Sequence, residues 1–305
     1  MHIREPGKIT DRVEYLGDWH SCLYLLRGKE AMIIGGGMSW VAPSLEKQLD
    51  SLHFDSARIR YLFIAHSHFD HCGAIPYLKR RFPKAQVLAS AYAQKVLANP
   101  KVVEYIATRN EELIARLGLQ GEQRRLKAQF DGIQVEHVVD EGETLDLGEG
   151  IEAHVLAVPG HSQCALAVYV PALKALFPTD AAPFPNEDGR RISYPSPQYD
   201  FSLYKASLKK LASLDVDLCA FEHHGVFKGA EAAKILSRGL KKTEDFEKNV
   251  LAHSRNEKEL QRFIKKTAAQ VLASKSFSFQ NRERQEGIID TVVKKILGSQ
   301  ASGVQ

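Results

Sequence analysis

The chain has 305 residues, room for one large domain or two smaller ones, and 44% of it is apolar, enough to bury a sizeable core. Its 41 Lys and Arg against 37 Asp and Glu give a net charge of +4, too balanced for a dedicated nucleic-acid binder. The apolar runs are strand-sized, so no membrane span is expected, and Met1–Pro6 lacks the apolar stretch of a secretory signal peptide. In chain order, Cys22–Leu26 and Ala31–Ile34 read as strands around the turn Arg27-Gly28-Lys29, and Gly35-Gly36-Gly37 ends the second. Leu45, Leu49 and Leu52 share one face of a helix that starts near Pro43-Ser44. Tyr61–Ile64 is a continuous apolar run, the mark of a strand covered on both faces. A helix is predicted over Gly73–Phe82 and a strand at Gln86–Ala89.

Within 101–129, Val103, Ile106, Leu113, Ile114, Leu117 and Leu126 recur at helical spacing, which predicts a helical arm between strand regions. Strands return at Gln134–Val139, Ile151–Val158, Ala165–Val170 and Lys174–Phe177, then a helix at Ser202–Leu214 and a strand at Leu218–Phe221. The rest is predicted helical: Ala230–Ala252, Glu257–Ala273 and Arg284–Leu297. Residues 235–305 hold 14 Lys and Arg against 8 acids and no proline, whereas all 12 prolines lie earlier. The expected organisation is a catalytic body over 1–234 and a basic helical extension over 235–305. The body's alternation of elements points to an α/β sandwich with helices outside its sheets.

Four cysteines (Cys22, Cys72, Cys164, Cys219) lie far apart, with no C-x-x-C pair. That argues against a zinc ribbon or a disulfide framework and fits a reducing, cytoplasmic setting, the thiols serving as small apolar fillers. Twelve histidines against four cysteines direct any transition-metal site toward nitrogen and oxygen ligands.

The segment that carries chemistry is His66-Ser67-His68-Phe69-Asp70-His71, directly behind the apolar strand. His66 and His68 point the same way in an extended stretch and can grip one cation, while Asp70 and His71, after a turn, can reach a second. A solvated His-rich loop would not place four such residues at the carboxyl end of a buried strand, where α/β proteins position ligands.

This run resembles the signature of the metallo-β-lactamase superfamily. Three later segments resemble further elements of it: Pro159-Gly160-His161-Ser162, Leu176-Phe177-Pro178-Thr179-Asp180, and Phe221-Glu222-His223-His224-Gly225, the last set against Pro-Gly-His-Gly. The resemblance covers roughly residues 10–230 and implies an αββα sandwich, here with a C-terminal helical extension. It implies two divalent transition-metal ions, zinc or iron, with manganese possible. His66, His68 and His161 would hold one and Asp70, His71 and His224 the other, with Asp180 between them. Cations about 3.5–4 Å apart need such a bridging anion and lower the pKa of a shared water, which then attacks as hydroxide; Asp70 would orient it. Gly225, following His224 as in the family pattern, favours His224 over His223, which is left as a rim residue with a substrate or proton-relay role as its alternative. Gly35-Gly36-Gly37 departs from the family's Asp-Thr-Gly or Asp-Gly-Gly; the missing carboxylate would leave the metal loop softer or a water in its place.

Retention of His68, where the related oxygen-reducing diiron flavoproteins carry Glu, favours hydrolysis. The helical arm and extension are similar in layout to the quinolone-signal response thioesterase of this superfamily and, more distantly, to glyoxalase II, which implies helices over the metal site. The basic pairs Lys241-Lys242, Lys265-Lys266 and Lys294-Lys295 are either solvated faces or steer an anionic substrate. His223, Phe184, Tyr194 and Phe277 are the candidate substrate-binding residues. The expectation is a thioester or ester hydrolase, acyl-CoA thioesters first, with a small-molecule anionic substrate, no nucleic acid or membrane partner, and an oligomer possible. A phosphodiesterase using the same ions, or a regulatory protein of the same fold, is the alternative.

Overall fold

The computed structural model describes residues 1–52, 54–186, 192–273 and 281–302. Among them the strands fall into two seven-stranded sheets. The first holds β2 (Gly7–Lys8), β3 (Val13–Gly17), β4 (Cys22–Arg27), β5 (Ala31–Ile34), β6 (Ile59–Phe63), β7 (Gln86–Ala89) and β8 (His137–Val138), in chain order. Its β2–β5 part is antiparallel and its β5–β8 part parallel. The second runs β1 (His2–Ile3), β14 (Val226–Lys228), β13 (Leu218–Ala220), β12 (Ala175–Phe177), β11 (Leu166–Val170), β10 (Glu152–Ala157), β9 (Thr144–Asp146). Only β12 and β13 pair parallel there.

The alternation along β4 shows why its sequence is apolar throughout. Cys22, Tyr24 and Leu26 face the space between the sheets, where they meet Phe63, Val155, Val168 and Phe177. Leu23 and Leu25 face the other way, onto α1 (Ala42–Ser51), α2 (Ile75–Arg81) and α4 (Pro100–Leu117). Ala167, Leu176 and Cys219 on the outer face of the second sheet meet α6 (Phe201–Ala212) and α7 (Ala230–His253). The layers are therefore helix, sheet, sheet, helix. Four more helices complete the described set: α3 (Ala91–Leu97), α5 (Gln120–Leu126) and, in the extension, α8 (Glu257–Ala273) with α9 (Arg282–Ser302). No helix is long and apolar enough to cross a membrane among the described residues.

The predicted helical arm is built of two helices, α4 and α5. Asn99 caps α4 by accepting from the Lys101 N–H, Pro100 occupies its first turn, and Gly118 ends it in the left-handed conformation. Phe246 and Val250 of α7, Leu260, Ile264 and Val271 of α8, and Ile289, Val292 and Ile296 of α9 make a separate apolar cluster with Phe201 of α6. That cluster seats the extension on the body.

Candidate metal centre

The loop behind β6 is tied down by backbone bonds before any side chain acts. Ile64 N donates to Leu88 O (2.8 Å), and Leu166 N donates to Ala65 O (2.9 Å), linking the loop to both sheets. His71 N donates to His68 O (3.0 Å), closing the turn that brings Asp70 and His71 back toward the first two histidines. Gly73 N and Ala74 N then donate to Gly37 O and Gly36 O (2.7 and 2.8 Å). A Cβ on Gly36 would stand 2.6 Å from His71 O, so the close approach of these two loops requires glycine there.

The other contributors arrive from the second sheet. His161 follows β10 and Gly160, whose φ is +132° and whose Cβ would overlap Tyr204 N at 2.2 Å. Asp180 follows β12 after Thr179, a non-glycine residue at φ +49°. Its strained backbone sets Thr179 Oγ1 3.0 Å from His66 Nδ1. Glu222, His223 and His224 lie in the turn between β13 and β14.

The imidazoles converge edge to edge. His161 Nε2 lies 3.0 Å from His68 Nδ1 and 3.4 Å from Asp180 Oδ2. His71 Nε2 lies 3.3 Å from the same carboxylate oxygen and 3.1 Å from His223 Nε2. Asp70 Oδ2 stands 4.0 Å from His71 Nε2 and 3.9 Å from His223 Nε2. Two groups of three thus stand side by side: His66, His68 and His161; and Asp70, His71 and His223. Asp180 touches both.

The far nitrogen of three of these rings is occupied by a fixed acceptor. His161 Nδ1 donates to Ser196 O (2.7 Å), His71 Nδ1 to Glu222 Oε2 (2.7 Å) and His223 Nδ1 to His20 O (2.7 Å). With Nδ1 as the donor, neutral rings direct the lone pair of Nε2 into the cluster. Lone pairs about 3 Å apart repel unless a positive charge lies between them. His66 Nε2 and Asp180 Oδ1 are also buried without a hydrogen-bond partner among the described residues. The donor set therefore fits divalent cations: imidazole nitrogens and carboxylates, pre-aimed and otherwise unsatisfied.

Electrostatics agree. Burial, then the crowding of His71, His68 and His161, pushes the His66 pKa well below the ordinary imidazole value. Burial also brings His68 down to about 3. Burial opposes charging His71 as well, yet Asp180, Glu222 and Asp70 hold its pKa well above the usual value. For Asp180, burial is outweighed by His71 and His161, which hold its carboxyl well below the carboxylate range. Three carboxylates around one imidazole mark a place that favours positive charge.

The structure corrects two expectations. His224 is not part of the cluster; His223 is. His224 sits at φ +62°, which turns successive side chains apart. Its ring stacks on Trp19 (5.1 Å), and its Nδ1 donates to Pro185 O (2.5 Å). The second correction concerns the absent carboxylate of the glycine run. Glu222, 5% exposed, fills that place: a Cβ on Gly35 would lie 3.2 Å from Glu222 Oε2, the atom that accepts from His71. Sequence reasoning passed over Glu222. The signal available was an acid beside two histidines at a position where the family pattern has glycine.

A cavity of about 620 Å³ opens on the cluster. His68, Asp70, His161, Asp180 and His223 form one end. Val102, Tyr105 and Ile106 of α4, Val271 of α8, and Arg284, Ile288, Ile289 and Val292 of α9 form much of the remainder. Phe184 and Tyr194 line it too, and Tyr194 Oη donates to Gln270 Oε1 (2.6 Å). Phe277 lies outside the described residues. His20 contributes its backbone carbonyl to His223 and does not line the cavity.

The family model described as the metallo-beta-lactamase superfamily matches residues 17–224. The chain belongs to the metallo-β-lactamase superfamily. Among curated members, a metallo-beta-lactamase fold-containing protein of Sulfurisphaera tokodaii is 28% identical over 60% of this chain and 66% of its own length. A probable metallo-hydrolase of Burkholderia pseudomallei is 29% identical over 52% of this chain and 49% of its own length. The chain thus spans about half to two thirds of the length of those relatives. Of solved structures, the Sulfolobus tokodaii superfamily protein superposes with a TM-score of 0.55 at 22% identity, covering 76% of this chain and 86% of that one. A Cronobacter sakazakii metallo-β-lactamase reaches 0.58 at 21%, covering 81% and 95%. At these identities the likeness is one of fold. Membership in the superfamily implies divalent metal ions, which the donor set described above fits.

Proposed function

We propose that this protein hydrolyses a thioester or ester, acyl-CoA thioesters first. The observation that carries this reading is the apolar cavity roofed by α4, α8 and α9, which runs up to the histidine–carboxylate cluster and gives an acyl group a wall of Val and Ile side chains. His66, His68 and His161 would hold one divalent ion and Asp70, His71 and His223 the other, with Asp180 shared. Bound there, the ions supply an activated water near neutral pH and polarise the carbonyl under attack.

The chain's own groups do the rest. Ser196 O, His20 O and Glu222 fix the imidazole tautomers, so no ring has to reorient when substrate enters. The helices shield the acyl group and reacting carbon from bulk water. Asp70, whose side chain is 15% exposed and lines the cavity, stands where its carboxylate would orient the attacking water.

The test is turnover of an acyl-CoA panel by wild type, His68→Ala and Asp180→Ala. Both variants should lose more than the ten- to hundredfold that removal of a supporting group typically costs. Turnover of bis(p-nitrophenyl) phosphate far above that of every thioester would replace this reading with a phosphodiesterase.

A further inference from the structure

Among the polar side chains that line the cavity, two come from the first turn of α9: Arg284 and Gln285. The Arg284 guanidinium lies 5.2 Å over the ring of Phe69, the residue between His68 and Asp70, and its Nη2 donates to Tyr105 Oη (3.1 Å). Among the described residues it makes no ion pair, and it is the one Lys or Arg lining this cavity. The lysine pairs of the extension lie elsewhere: Lys241 pairs with Asp245 and Lys294 with Asp290, away from the cavity. Gln285 is 3% exposed, and its Oε1 is buried with no hydrogen-bond partner among the described residues. A buried amide oxygen left unpaired beside Ile288 and Ile289 is destabilising, and a donor on a bound molecule would satisfy it.

Resting on the thioesterase reading, we infer that Arg284 and Gln285 select the substrate: it carries an anionic group for Arg284 and an adjacent N–H or O–H donor for Gln285. The anion has two possible sources, a carboxylate on the acyl group or the phosphates of the carrier.

Three thioesters separate these sources: hexanoyl-N-acetylcysteamine, which is neutral; adipoyl-N-acetylcysteamine, with a carboxylate on the acyl end; and hexanoyl-CoA, with phosphates on the carrier. In wild type, at least one anionic probe should exceed the neutral one in kcat/KM. Arg284→Gln should lower that anionic-to-neutral ratio by about tenfold or more, mainly through KM, and Arg284→Lys should restore part of it. Gln285→Leu should raise KM for the same probe more than Gln285→Glu does. The ratio does not depend on the fraction of variant that folds. An unchanged ratio in Arg284→Gln overturns the inference. If wild type hydrolyses none of the probes, the thioesterase reading fails and calorimetry with non-hydrolysable thioether analogues decides the pair separately. Weaker binding of the anionic analogue to Arg284→Gln then supports selection, and equal binding removes it.

Discussion

Glu222 is the residue on which the metal loop turns. Its Oε2 accepts from His71 Nδ1 at 2.7 Å in a buried setting, so it fixes the tautomer and adds negative charge behind the ring. Glu222→Gln keeps an acceptor in place but removes the charge. Its affinity for zinc, measured by competition with a chromogenic chelator, should fall by about 10–100-fold; unchanged affinity would mean that Glu222 only packs. The H-x-H-x-D-H run was legible in the sequence because its geometry is local: strand alternation and one turn set it. The choice between His223 and His224 was not legible. Both residues have the right chemistry, and what separates them is the left-handed backbone at His224 and the aromatic surface of Trp19, 205 positions earlier in the chain, on which that ring rests.

Among the elements, α4 shows how the arm is locked to the site. Asn110 is fully buried; its Oδ1 accepts from Ser39 N (2.8 Å) and Ser39 Oγ (2.9 Å), and its Nδ2 donates to Ile106 O (2.9 Å). It also sits where a Cβ on Gly73 would meet it at 2.5 Å, so arm, glycine run and metal loop share one junction. Asn110→Ala strands two buried groups of Ser39, and the expected loss in denaturant unfolding is about 2–4 kcal/mol; a loss under about 0.5 kcal/mol would show that the junction relaxes freely. Long periodic elements such as α7 and α8 were readable from spacing, and β4–β7 from their apolar runs. The short strands β1, β2, β9 and β14 were not: two or three residues hold no periodicity, and they exist because a neighbouring strand offers them a ladder, as β14 does for His2 and Ile3. The strand predicted at Gln134–Val139 shrinks to β8 (His137–Val138).

For the molecule as a whole, the αββα layering explains why the ligand set is scattered over 158 positions of sequence yet gathers at one place. Loops from both sheets meet at the same edge, and backbone bonds such as Leu166 N to Ala65 O span them. The composition pointed to nitrogen and oxygen ligands and to a basic extension. It did not reveal that Lys241 and Lys294 of the extension pair with its own acids while Arg284 lines the cavity. Everything proposed for catalysis rests on two cations held by His66, His68, His161, Asp70, His71, His223 and Asp180. The direct measurement is the metal content, by mass spectrometry, of wild type, His223→Ala and His224→Ala purified under metal-preserving conditions. The expected result is about two transition-metal ions per chain in wild type and in His224→Ala, and about one in His223→Ala. Fewer than about 0.5 per chain in wild type, or loss in His224→Ala with retention in His223→Ala, would contradict it.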